Sequence, residues 1–317
     1  MSVDRVATSQ QSAFFLSQIN QAGAKLDATN KQIASGVVAD TYAGFGDQAQ
    51  VLQATISASA RNDGYTTATS LATTQTDLQN TQLSSLSDLA AQLKKVVSDA
   101  VANNDPSTVM GQVDSIFSQA VSILNSKDAN GDYIYAGGKT DTAPMAVSSL
   151  SQLAALPAVS SAFTNGSNKK AVQVADGQSI TFGVTASDVG SGLMQALKDI
   201  AGFDAGSDGD FDNSANLSAA QNDFLTTQIG ATNTVSNGLT AVTAQNGNTY
   251  NQLQNATTQQ TSMGSLYSGF IDKLQNTNLA DAATQMSLNQ TALQAALQVT
   301  ATLNQLSLLN YLPAATG

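Results

Sequence analysis

The sequence contains no cysteine, no histidine and no tryptophan. Without cysteine no disulfide forms and no thiolate holds a metal; without histidine, imidazole ligation is excluded as well. The Ser-His-Asp and Cys-His arrangements of nucleophilic catalysis are excluded too, and general acid–base chemistry loses its commonest agent. Any enzyme here would have to work with carboxylates, lysine, tyrosine or serine alone, so the chain is expected to be no enzyme and to need no cofactor. Charge is also scarce. Only 11% of the 317 residues are charged, with a net charge of −11. Such a chain displaces few counterions from nucleic acid and is not drawn to anionic lipid, so neither is an expected partner. No run approaches the roughly 18 apolar residues of a membrane span. The start, "MSVDRVATSQQSAFFLSQIN", lacks a basic stretch followed by an apolar core of about 7–15 residues, so a cleaved secretory signal is not expected.

What fills the chain is alanine with glutamine, asparagine, serine and threonine. Alanine and glutamine suit long helices. Uncharged polar side chains suit surfaces that neighbours will cover, whereas a solvated monomer more often intersperses lysine and glutamate. From Phe15 the apolar positions fall at Phe15, Ile19, Ala22, Leu26 and Ile33, with Thr29 in the vacant step, a narrow heptad stripe. Ser35-Gly36 ends this helix, with the glycine as C-cap, and "VVADTYAGFGDQAQ" (37–50) is a glycine-punctuated connector. A second helix is predicted from about Asp47 to Val101. Its stripe reads Leu71, Thr74, Leu78, then Leu86, Leu89, Leu93 and Val96, and the slip between 78 and 86 reads as a stutter. Asp105 and Pro106 are placed to cap and open a third helix carrying Val109, Val113, Ile116, Ala120 and Ile123/Leu124.

The pattern changes after residue 126. Asn130-Gly131 signals a turn with "YIYAGG" as the strand that follows. Residues 170–187 alternate around Asp176-Gly177 as a hairpin, and 191–203 reads as one short helix. Helix returns from about Leu217 to Leu274, with Leu253, Ala256, Gln260, Met263, Tyr267, Phe270 and Leu274 in unbroken 3-4 alternation. A last helix carries Met286, Leu293, Ala296, Leu297, Leu303 and Leu306, and Leu308, Leu309, Tyr311 and Leu312 crowd its end. The fold class expected is mainly α, a long antiparallel coiled-coil rod built from N- and C-terminal arms with a small α+β domain inserted midway.

Candidate ligand sites fare poorly. "DANGD" (Asp128, Asn130, Asp132) opens like a calcium loop, but its twelfth position is Lys139, where a bidentate glutamate is required. The cluster Asp208, Asp210, Asp212 reaches Ala219 at that position and reads as a solvated loop. "YIYAGGKT" lacks the spacing of a phosphate-binding loop. Lys94-Lys95 and Lys169-Lys170 read as solvated doublets. No metal site is expected. The terminal stripes carry the opposite weight. Free chain ends seldom present apolar seams without a docking surface, so Phe15, Ile19, Leu26, Ile33, Met286, Leu293, Leu297, Leu303, Leu306, Leu309 and Tyr311 are read as an assembly interface.

Three strings carry a family likeness. "ILNSKDANGDYIYAGGKTDTAPM" resembles the helix-to-hairpin segment of the flagellar hook-associated protein 3 family, the hook–filament junction proteins. "TQMSLNQTALQAALQVTATLNQLSLLNYL" is similar to that family's C-terminal helix and, more broadly, to flagellin's. "KQIASG" resembles the "QISSG" that closes the first helix in both. The likeness spans roughly residues 10–145 and 215–312. It departs in the connector, where "GVVADTYAGFGDQAQ" stands in place of a basic stretch and a "DDPAG"-like loop.

The resemblance implies a structural subunit joining hook to filament and exported without a cleaved signal by the flagellar type III route to the extracellular flagellum. It implies partners as well: further copies in a helical ring, a hook-side junction protein, flagellin, and a cytoplasmic export chaperone on the C-terminal helix. The expected organisation is an assembly helix over 1–40, rod and hairpin over 41–139, the α+β insertion over 140–213, returning rod over 214–276, and a second assembly helix over 277–317. Two other readings stand beside this one: a filament flagellin, or a surface adhesin or glycan-binding protein using carboxylates of the 140–213 insertion.

Overall fold

The computed structural model of the chain describes the backbone of residues 2–309 and the side chains of residues 10, 11 and 13–302. It is mainly helical, with one two-stranded sheet. In chain order the elements are α1 (Ser2–Ser35), α2 (Ala49–Asn103), α3 (Val109–Leu124), α4 (Leu150–Ala155), β1 (Lys170–Ala175), β2 (Gln178–Phe182), α5 (Ala186–Asp204), α6 (Ala219–Gln275) and α7 (Leu279–Leu309). The chain divides into two compact units, residues 1–60 with 264–317, and residues 61–263.

The larger unit is built on α2 and α6. Along α2 one buried stripe runs Asn62, Thr69, Ala72, Thr76, Gln79, Leu83, Leu86, Ala90, Leu93, Val97 and Ala100, with Leu52, Leu89 and Val96 buried beside it. After the first step the stripe alternates by three and four without a break. The seam expected at Leu71, Thr74 and Leu78 is therefore on the wrong face: Leu71 is 66% exposed, Leu78 is 40% exposed and Thr74 faces solvent. There is no stutter to explain. The true interior positions between 62 and 79 are mostly polar, so a count of apolar residues picks the opposite face. The α6 register is the one expected, with Leu253 and Gln260 buried, Ala256, Met263, Tyr267 and Leu274 half-buried and Phe270 exposed.

With α2 and α6, the helices α3 and α5 complete the main core around residues such as Leu83, Leu93, Phe117, Leu124 and Leu193. The start of α3 differs from expectation. Asp105 Oδ1 accepts the Ser107 N–H at 3.0 Å, two residues on, so its carboxylate caps a local turn. The Pro106 carbonyl accepts from Val109 N, and the helix begins there instead. In contrast α5 begins five residues before the expected Ser191. The Thr185 hydroxyl accepts from Asp188 N, and Asp188 Oδ2 accepts from Thr185 N, a reciprocal cap that starts the helix early. The short α4 was not expected at all. Its signal is Ser149 with Gln152: the serine oxygen accepts from Gln152 N, and Gln152 Oε1 accepts from Ser148 N.

"YIYAGG" is not a strand. The turn at Asn130-Gly131 forms, but only the single bridge Lys127–Tyr133 follows it. The backbone then coils through successive turns, Ala136 N to Tyr133 O, Lys139 N to Ala136 O and Thr142 N to Lys139 O. Gly137, at φ +62°, supplies the left-handed step this path requires. Tyr135 points inward and is wholly buried, and its carbonyl accepts from Ala186 N at the start of α5. The segment is thus a core-anchored coil that clamps α5. Burial pushes the Tyr135 phenol well above its ordinary pKa, and its hydroxyl has no hydrogen-bond partner among the described residues. Tyr135→Phe removes that uncompensated polar atom, and we expect it to raise stability by about 1 kcal/mol. The reading is a higher urea midpoint at unchanged slope.

The β1–β2 hairpin forms where expected, antiparallel with Lys170 opposite Phe182 and Val172 opposite Ile180, and with a bulge between Gln173 and Ala175. Lys169 and Lys170 are not merely solvated. Lys169 pairs with Asp188 at 3.3 Å, and Lys170 Nζ reaches Gln75 Oε1 at 3.4 Å.

Candidate assembly surface

The smaller unit is organised by α1 and α7, which run antiparallel. Val37 bridges Asn276, Val38 N donates to Gln275 O at 2.8 Å, and Thr277 N donates to Gly36 O at 2.9 Å. Further along, Asn289 Nδ2 donates to Thr29 Oγ1 at 3.1 Å. Thr29, the vacant step in the apolar stripe, is buried and donates its own proton to Lys25 O. A polar residue in the middle of the seam thereby fixes the register of the pair. Gly36 ends α1 as expected: at φ +75° its N–H returns to Gln32 O at 2.9 Å, and Gln32 Nε2 reaches forward to Val38 O.

The expected interface residues fall into three groups. Phe15, Ile19, Leu26 and Ile33 on α1 and Met286 and Leu293 on α7 are half-buried. Leu297 is 49% exposed. Leu303, Leu306 and Leu309 lie on the α7 backbone with side chains outside the described set, and Tyr311 lies outside the described residues. The structure also exposes Phe14, Leu16, Leu279, Leu288 and Val299, which the stripe did not include. A signal was present. Three apolar residues in a row at 14–16 spread over three helix faces, and a single partner helix covers only one. The Phe14 and Phe15 rings meet edge to face at 5.8 Å, so they form one aromatic knob. Elsewhere in this unit Val51, Ala54, Ala58 and Tyr267 line an apolar groove of about 430 Å³.

Ligand chemistry is not apparent at the sites singled out from sequence. Asp128 Oδ1 accepts the N–H groups of Asn130 and Asp132, spending the carboxylate on its own turn. Asp210 sits at φ +59° and accepts from Asn213 Nδ2. Among the described residues no group of three or more acidic side chains is placed to hold a metal ion. No described helix is long and apolar enough to cross a membrane.

No family model and no curated relative matches the sequence. Solved structures do match. A chain described as a flagellar hook-associated protein from Vibrio parahaemolyticus superposes with a TM-score of 0.57 at 19% identity, over 72% of this chain and 96% of that one. The chain has the fold of flagellar hook-associated proteins. Two others agree. Bacillus cereus FlgL matches at TM-score 0.52 and 14% identity, over 69% of this chain and 98% of its own, and Xanthomonas campestris FlgL at 0.51 and 11%, over 65% and 99%. Nearly all of each hook-associated chain is accounted for, while more than a quarter of the present chain lies beyond the match.

Proposed function

We propose that this chain is a structural subunit of the bacterial flagellum, standing at the junction between hook and filament and assembling through its terminal helices. The observation that carries the reading is the α1–α7 pair. Its seam is only half-buried, and Phe14, Leu16, Leu288, Leu297 and Val299 face outward along it. Covering such a surface with helices from neighbouring copies removes apolar area from water and supplies the driving force for polymerisation. The likeness to hook-associated folds supports the same place in the flagellum.

On this reading residues 1–40 and 277–317 are the assembly helices, 41–139 and 214–276 are coiled-coil arms, and 140–213 is the inserted α+β segment. The neighbours are further copies in a helical ring, a hook-side junction protein and flagellin. A cytoplasmic chaperone covers the C-terminal helix before type III export to the cell exterior. The role is mechanical, with no catalytic step and no cofactor. A strain lacking the gene should show hooks without filaments under the electron microscope, restored by the wild-type gene. Normal filaments in that strain would rule the reading out, and filament growth from the purified protein alone would point to flagellin instead.

A further inference from the structure

The α2–α6 seam changes character along its length. Between residues 61 and 80 the buried residues of α2 are Asn62, Thr69, Ala72, Thr76 and Gln79; between 81 and 100 every one is apolar. Facing the polar half, α6 offers Asn246 and Gln260 on either side of Leu253. Asn246 Nδ2 donates to Thr76 O at 3.0 Å and to Asn80 Oδ1 at 2.8 Å. Gln260 ties α6 to two other elements. Its Nε2 donates to Thr69 Oγ1 on α2 at 2.9 Å and to Val174 O on β1 at 2.8 Å, and its backbone carbonyl accepts from Asn62 Nδ2, also on α2, at 2.9 Å.

The apolar support for this half is small and separate. Ala72, Val172, Val174, Phe182 and Leu253 form a cluster of their own, apart from the main core. Hydrogen bonds exchanged for bonds to water are lost at little net cost, whereas exposing apolar surface is expensive. The buried Oε1 atoms of Gln79 and Gln260, which have no partner, further raise the energy of the closed state. A region held mainly by such bonds opens below the free energy of global unfolding.

We propose that residues 61–80, the β1–β2 hairpin and residues 246–263 form one cooperative segment that opens together ahead of the main core, and that Gln260 couples its three parts. Opening releases the hairpin and frees both helix faces while the apolar half of the seam stays closed. Native-state amide exchange on the full chain, followed by mass spectrometry at rising denaturant, tests this. Peptides from 66–78, 171–181 and 247–259 should share one opening, at lower denaturant than peptides from 86–97 and 113–123. Gln260→Ala should speed exchange in 66–78 and 171–181 together by tenfold or more and leave 86–97 and 113–123 unchanged. Gln254→Ala, at an exposed α6 position, should change neither. A single opening shared by all these peptides in the wild type would overturn the proposal. So would a Gln260→Ala effect confined to α6, or one that reaches 66–78 without 171–181.

Discussion

Alanine in place of Gly137 is expected to destabilise the 61–263 unit by at least about 3 kcal/mol. Two costs add. The residue sits at φ +62°, where a side chain is strained by roughly 1–2 kcal/mol. The new Cβ would also stand 2.7 Å from Gly166 O and 2.9 Å from Asn168 O, and both are backbone atoms that cannot rotate away. Relieving that contact means pulling the 133–140 coil from residues 166–168. The Ala136 carbonyl bond to Gly166 N and the seating of buried Tyr135 would go with it. For a unit of this size such a loss lowers the melting temperature by roughly 6–12 °C. Gly131 provides the comparison. It too has positive φ, at +87°, but a Cβ there meets open space, so Gly131→Ala should cost only about 1 kcal/mol. Equal costs at the two positions would show that close backbone approach is not what demands glycine at 137.

Leu297→Asp is expected to leave the free monomer folded and to abolish incorporation into flagella. At 49% exposure Leu297 contributes little to the isolated chain, so the monomer should change by no more than about 0.5 kcal/mol. In an assembly that covers this face the aspartate would be buried without a partner, a penalty of several kcal/mol repeated in every subunit. Removing residues 279–317 should also block incorporation while the 61–263 unit stays folded, since that unit has its own core. Circular dichroism of the purified variants and a motility assay of complemented cells separate the two effects. Motile cells carrying Leu297→Asp, or an unfolded monomer, would each contradict the assignment.

Much of the architecture was legible because the helices are long and their ends are marked. Gly36 caps α1, and the 3-4 alternation through Leu253 and Gln260 sets the phase of α6. Asp176-Gly177 marks the β1–β2 hairpin. The α2 seam was misread because polar side chains occupy its interior positions. Thr69, Thr76 and Gln79 are as buried as the leucines that follow them, so apolar counting chose Leu71 and Leu78. "YIYAGG" fails for a different reason, although its alternation suggests a strand. There the backbone N–H groups of Ala136 and Lys139 close local turns, while the carbonyls of Tyr135 and Ala136 accept from Ala186 N and Gly166 N, so no ladder forms. The early start of α5 depends on a side-chain cap at Thr185 and Asp188 that Gly190 and Gly192 obscure. At the candidate surface the sequence located the two helices and their inner stripe. It placed Phe15 and Ile19 in the stripe but passed over Phe14 and Leu16, whose exposed apolar surface depends on where α7 lies.

The most direct measurement uses an absence in the sequence. With no native cysteine, Leu297→Cys carries a single thiol that takes a benzophenone photo-crosslinker without competition. Illuminated in isolated flagella, the label should join this chain to a second polypeptide; in dilute monomer it should give only intrachain products. If flagella containing the labelled protein yield no intermolecular product, residue 297 does not face a neighbour, and the α1–α7 pair is not the surface through which the subunit assembles.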